Sequence, residues 1–527
     1  MNLRPVERKL RGMSSLLKSS GIVGLMTLLS RVLGFVRDVM LAVAFGAGGG
    51  MDAFLIALKI PNFGRRMFAE GAFSQAFVPV FTQTKTTRTH EEVRNLVSVV
   101  MGTLGGVLTL VTLIGCLGAP LFLYVFAPGF SAGADPVKHQ LGTEMLRWTF
   151  PYLMFISLTA MAGGVLNSYG RFAIPAFTPV LLNVCLIASA FIDSSSVQVL
   201  AYAVFVAGIL QFLFQLPLMF KLDLLPRPRW GWQDPQVRRI LSLMIPVMIG
   251  SSISQISLLV DSAIASLLGD GPVSWLYYAD RLMEFPLGIF SIAVGTVILP
   301  ALSVQHAKKS SDDFSRILDW GLRTMLVIGV PAMLGLVLLA GPLVASLFGY
   351  GKFTNRDVVM STYALWAYAP AFMGFSLVKV LIPGFYARQE TRTPVRIGVI
   401  ALVSGSLLSI SLFGLSRIFH CTAAHAGLAL ATSFTACINS FLLYRRLRSD
   451  GIYLPGAEWH TFWIRLLIAS AAMVAVTVFL NAPLNAWLAQ PMKQRALHLG
   501  EIVTAAGLVY FGVLLACGMR LKDFRRH

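Results

Sequence analysis

Fourteen stretches of largely apolar residues recur along this chain, each near the ~20 residues that a helix needs to cross about 30 Å of hydrocarbon. They fall near 20–45, 53–82, 96–118, 141–166, 173–192, 198–220, 241–268, 274–304, 317–348, 358–386, 397–413, 425–443, 461–481 and 497–519. Backbone N–H and C=O groups in lipid must be satisfied within the protein, so a chain built this way folds as a bundle of transmembrane helices. Composition agrees. Only 13% of the 527 residues are charged, about half the ~25% of a soluble domain. The mean hydropathy is +0.72, and no polar domain separates the runs.

The net charge is +19, but the bases sit in short clusters between apolar runs rather than on one folded face, which argues against a nucleic-acid partner. The leader, the even-numbered loops and the tail hold 27 Lys and Arg, and the odd-numbered loops hold 6. With an even number of crossings, this bias predicts that both termini are cytoplasmic. Trp230, Trp232, Trp459 and Trp463 beside the run ends suit an interfacial aromatic belt. The basic leader ahead of Gly21–Leu29 resembles a signal peptide, but Arg31, Arg37 and Asp38 interrupt the apolar stretch, so cleavage is not expected. Cys116, Cys185, Cys421, Cys437 and Cys517 stand singly in apolar stretches and read as small core residues.

Sliding the chain along itself brings Asp38 onto Asp261, Ala42 onto Ala265, Gly46 onto Gly269 and Phe130 onto Phe353, all at an offset of 223. Pro151 onto Pro370 and Pro175 onto Pro394 follow at 219, with Tyr169 and Arg171 onto Tyr386 and Arg388 at 217. Matches in one order imply a duplication, and repeats of six spans share one orientation in the membrane. The predicted architecture is all-α and integral to the membrane: a cytoplasmic leader (1–19), an N-lobe (20–220), a linker (221–240) and a C-lobe (241–445). Two further helices and a basic tail complete it (446–527).

Ten basic residues fall inside the predicted runs, and Arg31, Arg37, Lys59, Arg65 and Arg66 crowd the first two. A charge at the bilayer centre costs on the order of 3 kcal/mol or more, so such a concentration points to a wet cavity or to mutual pairing. At about 100° per residue, Thr27, Ser30, Arg31, Gly34, Arg37 and Asp38 share one stripe about 120° wide. In the second run Asp52, Lys59, Arg66 and Glu70 form another, with Pro61 able to shift its phase. Asp280, Arg281 and Glu284 follow Trp275, Tyr277 and Tyr278 in the eighth run, so each lobe presents buried charge to a central cavity. Two readings fit. Neighbouring acids can pair with Arg66 and Arg281 as internal stitching, or the arginines can meet an anionic substrate, since guanidinium grips phosphate in a two-pronged manner and keeps its charge.

Other motifs carry less. Gly129-Phe130-Ser131-Ala132-Gly133 matches a nucleophile elbow without its strand-to-helix setting. Gly46 and Gly48–Gly50 read as a turn ending the first helix, and His90-Glu91-Glu92 lacks the second histidine of a zinc site. Asp261 is the one weak candidate for holding a cation. No catalytic constellation, metal site or cofactor site is predicted.

The runs Ser30-Arg31-Val32-Leu33-Gly34-Phe35-Val36-Arg37-Asp38 and Asp52-Ala53-Phe54, then Arg65-Arg66-Met67-Phe68-Ala69-Glu70-Gly71-Ala72-Phe73 continuing to Pro79, and Tyr277-Tyr278-Ala279-Asp280-Arg281-Leu282-Met283-Glu284-Phe285-Pro286 resemble the MurJ (MviN) family, the bacterial lipid II flippases of the MOP transporter superfamily. The likeness runs over nearly the whole chain. It implies fourteen helices in two six-helix lobes around a cationic cavity, and a groove made with the last two helices for a polyprenyl tail. It further implies that Arg31, Arg37, Arg65 and Arg281 correspond to the family's functionally important cavity arginines, and the expected role of these four is to hold the substrate diphosphate. Ser30, Asp38, Asp52, Lys59, Arg66, Glu70, Asp280 and Glu284 would then line or gate the cavity. The implied partners are lipid II, membrane lipids and peptidoglycan-synthesis enzymes, in the bacterial inner membrane. Two features depart from the family pattern: a longer leader before Lys18, with Met13 as an alternative start, and no acids in runs eleven and twelve to join Asp261 in a sodium site. The competing functions are a flippase for another polyprenyl-diphosphate oligosaccharide, a multidrug exporter, a membrane-embedded enzyme, and a scaffold for wall synthesis.

Overall fold

The computed structural model describes residues 4–132, 135–225, 227–456 and 458–520, with side chains outside 4–20, 22, 68–71, 131–132, 249–257 and 289–296. Every regular element among them is helical. The chain divides into two compact units, Met1–Asp270 and Gly271–His527.

The first unit runs α1 (Arg4–Phe45), α2 (Gly49–Arg65), a π-helical stretch (Arg66–Phe73), α3 (Ser74–Thr87), α4 (His90–Leu117), α5 (Ala119–Phe126), α6 (Pro128–Ala132), α7 (Pro136–Thr149), α8 (Tyr152–Ser168), α9 (Ala173–Ile192), α10 (Gln198–Lys221) and α11 (Pro235–Ser266). The second runs α12 (Pro272–Ala307), α13 (Ser311–Leu338), α14 (Ala340–Leu347), α15 (Asn355–Tyr386), α16 (Arg392–Ile418), α17 (Ala424–Ser449), α18 (Trp459–Leu480), α19 (Leu484–Ala489) and α20 (Met492–Ala516). All fourteen predicted apolar runs lie on helices. Ten helical stretches among the described residues are long and apolar enough to span a membrane. The other four runs lie on α1, on α2 through α3, on α11 and on α12.

Local chemistry sets the helix ends. Thr89 accepts from the Glu92 N–H while Glu92 accepts from the Thr89 N–H, a capping box that starts α4. The acids beside His90 are thus accounted for by helix initiation. Thr354 and Asp357 repeat this at α15, and Asp135 and Asp234 cap α7 and α11. Gly46 after α1 and Gly269 after α11 both have φ in the left-handed region, 72° and 97°, which only glycine adopts without strain. These are two of the positions aligned by the internal duplication.

In the first unit Phe73, Phe77 and Phe81 form a ladder with ring centroids 5.0 and 5.4 Å apart, packed with residues of α4, α8 and α11. The second unit centres on Leu318, Leu322, Phe385, Leu443, Leu447 and Tyr453, and a separate apolar seam joins α13 to α18 and α20 through Leu466, Ala469 and Tyr510. Large apolar side chains such as Leu110, Phe191, Leu407 and Leu467 point outward, as expected where the solvent is lipid. The cysteines correct their expectation: all five are free and none is fully buried. An apolar surrounding in the sequence does not imply a protein interior when the exterior is itself apolar.

Candidate functional site

α1 packs along α9, whereas α2 packs on α7 and the π-helical stretch packs on α11. The two basic clusters of the first unit are therefore held by different neighbours. On α1, Asp38 is 2% exposed and the Arg37 guanidinium, 15% exposed, closes on it. Arg37 donates through Nε and Nη2 to Asp38 Oδ1 at 3.0 and 2.7 Å and through Nη1 to Asn183 Oδ1 at 2.9 Å. Asn183 Nδ2 in turn donates to the Ser30 carbonyl at 3.1 Å. Arg37 is thus oriented by a neighbour in sequence and by a buried amide 146 residues away. Ser30 is half-buried and Arg31 exposed.

Asp52 lies fully buried in the first turn of α2, where a carboxylate complements the positive end of the helix dipole. Lys59, two turns on, is exposed and donates to Ser262 Oγ at 2.6 Å. The two share the predicted stripe but not an environment, because a seven-residue spacing preserves the face and changes the depth by about 10 Å. Arg65 is half-buried and donates to Asn62 Oδ1 at 2.9 Å. Arg66 is exposed and begins the π-helical stretch. Wider turns there break the 100° phase by which Glu70 was placed, and the Glu70 side chain lies outside the described residues. Asp261 is half-buried on α11. Among the described residues no three His, Cys, Asp or Glu groups converge to hold a metal ion.

In the second unit Arg281 donates through Nη1 to Glu284 Oε2 at 2.7 Å and lies 3.9 Å from Asp280 Oδ2. Its guanidinium carbon lies 5.0 Å from the Tyr277 ring centroid, a cation–π distance. The same unit contains an apolar cavity of about 480 Å³ lined by Leu322, Leu326, Leu377, Leu381, Phe441, Tyr444, Trp459 and Trp463 among others. Sequence reasoning missed Asn183, Ser262 and Asn62. Asn183 is a lone polar residue in an apolar run, whereas Ser262 follows Asp261 and Asn62 stands three residues before Arg65, so only these two had a charged neighbour as a local signal.

The geometry can do one kind of chemistry well. Arg37 and Arg281 each keep a guanidinium oriented by acids but partly open, an arrangement suited to exchanging a carboxylate partner for a phosphate oxygen.

Comparison with known proteins is consistent with the fold and the motifs. A family model described as "Lipid II flippase MurJ" matches residues 41–496. A probable lipid II flippase MurJ of Vibrio cholerae is 46% identical over 519 residues, covering 97% of this chain and 98% of that protein. A lipid II flippase MurJ of Burkholderia cenocepacia is 41% identical over 510 residues, covering 95% and 97%. A solved MurJ structure in an inward closed conformation superposes with a TM-score of 0.75 at 25% identity, covering 94% of this chain and 99% of that one. An inward-facing MATE family transporter of the MOP superfamily shares the fold alone, with a TM-score of 0.63 at 15% identity. A multi-pass, all-helical membrane chain, matched at 41–46% identity over almost its whole length, belongs to the MurJ family of lipid II flippases.

Proposed function

We infer that this protein is a transporter that flips lipid II, the polyprenyl-diphosphate-linked precursor of peptidoglycan, across the bacterial inner membrane. The observation that carries the reading is the likeness over essentially the full chain to relatives named for that activity. The exporter fold in the same superfamily is shared at 15% identity, which speaks for architecture and not for a drug substrate.

The physical task is asymmetric. A diphosphate with its sugar-peptide cannot enter hydrocarbon unaided, whereas its tail has no reason to leave. In this mechanism Arg31, Arg37, Arg65 and Arg281 take the diphosphate from the cytoplasmic side, with Ser30, Lys59, Arg66, Asp280 and Glu284 around the path. Asp38, Asp52 and Glu70 compete for the arginines and favour release. Support comes from Arg37 and Arg281, whose guanidiniums are held by carboxylates that a phosphate can displace. The apolar cavity beside α18 suits a segment of the tail. The excess of bases in the leader, even-numbered loops and tail supports cytoplasmic termini. The enzymes that make and consume lipid II are the natural partners on either side.

The test is replacement of Arg37 and, separately, Arg281 by alanine. Each variant is expected to insert and fold but to lose support of wall synthesis and translocation of lipid II into vesicles. Wild-type activity in both would remove the diphosphate role, and a fully active pair would also fit poorly with any flippase that works through these groups.

A further inference from the structure

The second unit contains a polar cavity of about 520 Å³ where the first four turns of α13 and the first two of α18 meet Gly518 and Met519, just past the end of α20. Its walls carry three bases, Arg316, Arg323 and Arg465, and two acids, Asp319 and Glu458. Arg323 lies between the acids, 2.7 Å from Asp319 Oδ2 and 2.9 Å from Glu458 Oε2. Asp319 is further occupied by the Tyr453 hydroxyl at 2.7 Å and the Trp459 indole N–H at 2.5 Å. Arg316 is mostly exposed and only loosely paired, 3.7 Å from Asp313. Arg465 is half-buried and makes no hydrogen bond or ion pair among the described residues.

Arg465 stands six residues into α18, about 9 Å along the helix from Trp459, near one end of a stretch long and apolar enough to span a membrane. Its guanidinium comes within 3.6 Å of where a Cβ on Gly518 would sit. Gly518 itself has φ 84° just past the end of α20, a left-handed turn that favours glycine and brings the chain into van der Waals range of the Arg465 guanidinium. Below the cavity Ile464, Leu467 and Ile468 of α18 and Phe511 and Leu515 of α20 are exposed and apolar. Trp320 joins the wall and Trp463 stands nearby on α18, the residue type that favours the interfacial layer. Arg520 follows, and the sequence continues with Lys522, Arg525 and Arg526.

We propose that this cavity is a binding site for the phosphate of an anionic membrane phospholipid, with Arg465 as the principal ligand, Arg316 as the second, and the acyl chains lying along the exposed faces of α18 and α20. The cavity's own carboxylates are spent on Arg323, which leaves Arg465 without a partner among the described residues and Arg316 held only at 3.7 Å by the half-exposed Asp313. A free phosphate offers the same head chemistry but gains nothing from the apolar ridges. The inference stands on the membrane setting of these helices and not on the flippase reading, and its readout does not pass through lipid II.

The experiment uses the full-length protein in neutral detergent micelles, titrated with phosphatidylglycerol and followed by native mass spectrometry. Parallel arms use phosphatidylcholine and inorganic phosphate. Wild-type protein is expected to retain phosphatidylglycerol about tenfold more tightly than the Arg465→Gln variant, with further loss in Arg465→Gln/Arg316→Gln and a smaller loss in Arg465→Lys. Equal affinity in wild type and Arg465→Gln overturns the site, as does phosphatidylcholine binding as tight as phosphatidylglycerol. Displacement of the lipid by inorganic phosphate at equal concentration overturns the lipid as occupant. Should the double variant lose its fold, the two single Arg465 variants decide the matter, since Arg465 holds no partner whose loss would unfold the protein.

Discussion

Asn183 separates the two readings of Arg37, as a stitch between helices or as a ligand for a diphosphate. Its amide oxygen takes one Arg37 N–H at 2.9 Å and its amide nitrogen holds the Ser30 carbonyl at 3.1 Å. Asn183→Asp keeps the shape and adds a second carboxylate to Arg37. At that distance and an effective dielectric of about 20, the added attraction is on the order of 5 kcal/mol before offsets. Desolvating the new charge and losing the bond to Ser30 remove much of it, leaving about 1.5–3 kcal/mol. A diphosphate that needs Arg37 must overcome that residue, so lipid II should bind roughly 10- to 100-fold more weakly. Asn183→Leu does the opposite at the guanidinium. It removes one charged and one neutral hydrogen bond, costing about 2–4 kcal/mol of stability, but returns Nη1 to the substrate. Binding of lipid II to purified protein, measured beside thermal unfolding, reads both effects. The ligand reading requires the Asp variant to bind poorly at little cost in stability and the Leu variant to bind at least as well as wild type wherever it is folded. If the Asp variant binds normally and the Leu variant weakens only in step with its unfolding, Arg37 is a stitch and the proposed mechanism loses its central contact.

Arg495 makes a structural contrast: 6% exposed, it donates to the carbonyls of Ala345, Gly349, Leu488 and Gln490 at 2.8–3.0 Å. Arg495→Met, which leaves four carbonyls unpaired, should lower stability by about 3–5 kcal/mol, seen as an earlier thermal transition while the folded fraction still binds lipid II. Burial first, and then its hydrogen bond to Asp319, push the Tyr453 hydroxyl above its ordinary titration range. Because the raised group stabilises the fold while neutral, its contribution should be complete below about pH 10 and fade above it; the stability gap between wild type and Tyr453→Phe in alkaline unfolding scans should narrow there. Two negative charges leaving a negative interior gain about 4–5 kcal/mol per 100 mV, so dissipating the potential should slow lipid II appearance on the outer leaflet of energised vesicles; an unchanged rate would exclude an electrical drive.

The apolar run length and the positions of turn and cap residues were enough to put every predicted run on helix, ten of them on stretches long and apolar enough to span, because a helix in lipid must be about as long as the hydrocarbon is thick and must satisfy its own backbone. Gly46 and Gly269 could be aligned from sequence because a left-handed turn demands glycine wherever it recurs. Face was legible too: Ser30, Arg37 and Asp38 share a stripe, and on it the Arg37 side chain and the Ser30 carbonyl meet Asn183 of α9. Depth and partner were not. Asp52 and Lys59 lie on one stripe, yet one is sealed and the other open, since periodicity counts rotation and not what stands opposite. The π-helical turn at Arg66–Phe73 changes the phase after it, and no residue pattern announced it. The pairing of Arg37 with Asn183, of Lys59 with Ser262, and the approach of Arg465 to Gly518 all depend on which helices pack together. That choice is made by side-chain fit between segments 53 to 203 residues apart, and a polar residue in an apolar run looks the same before and after it finds its partner.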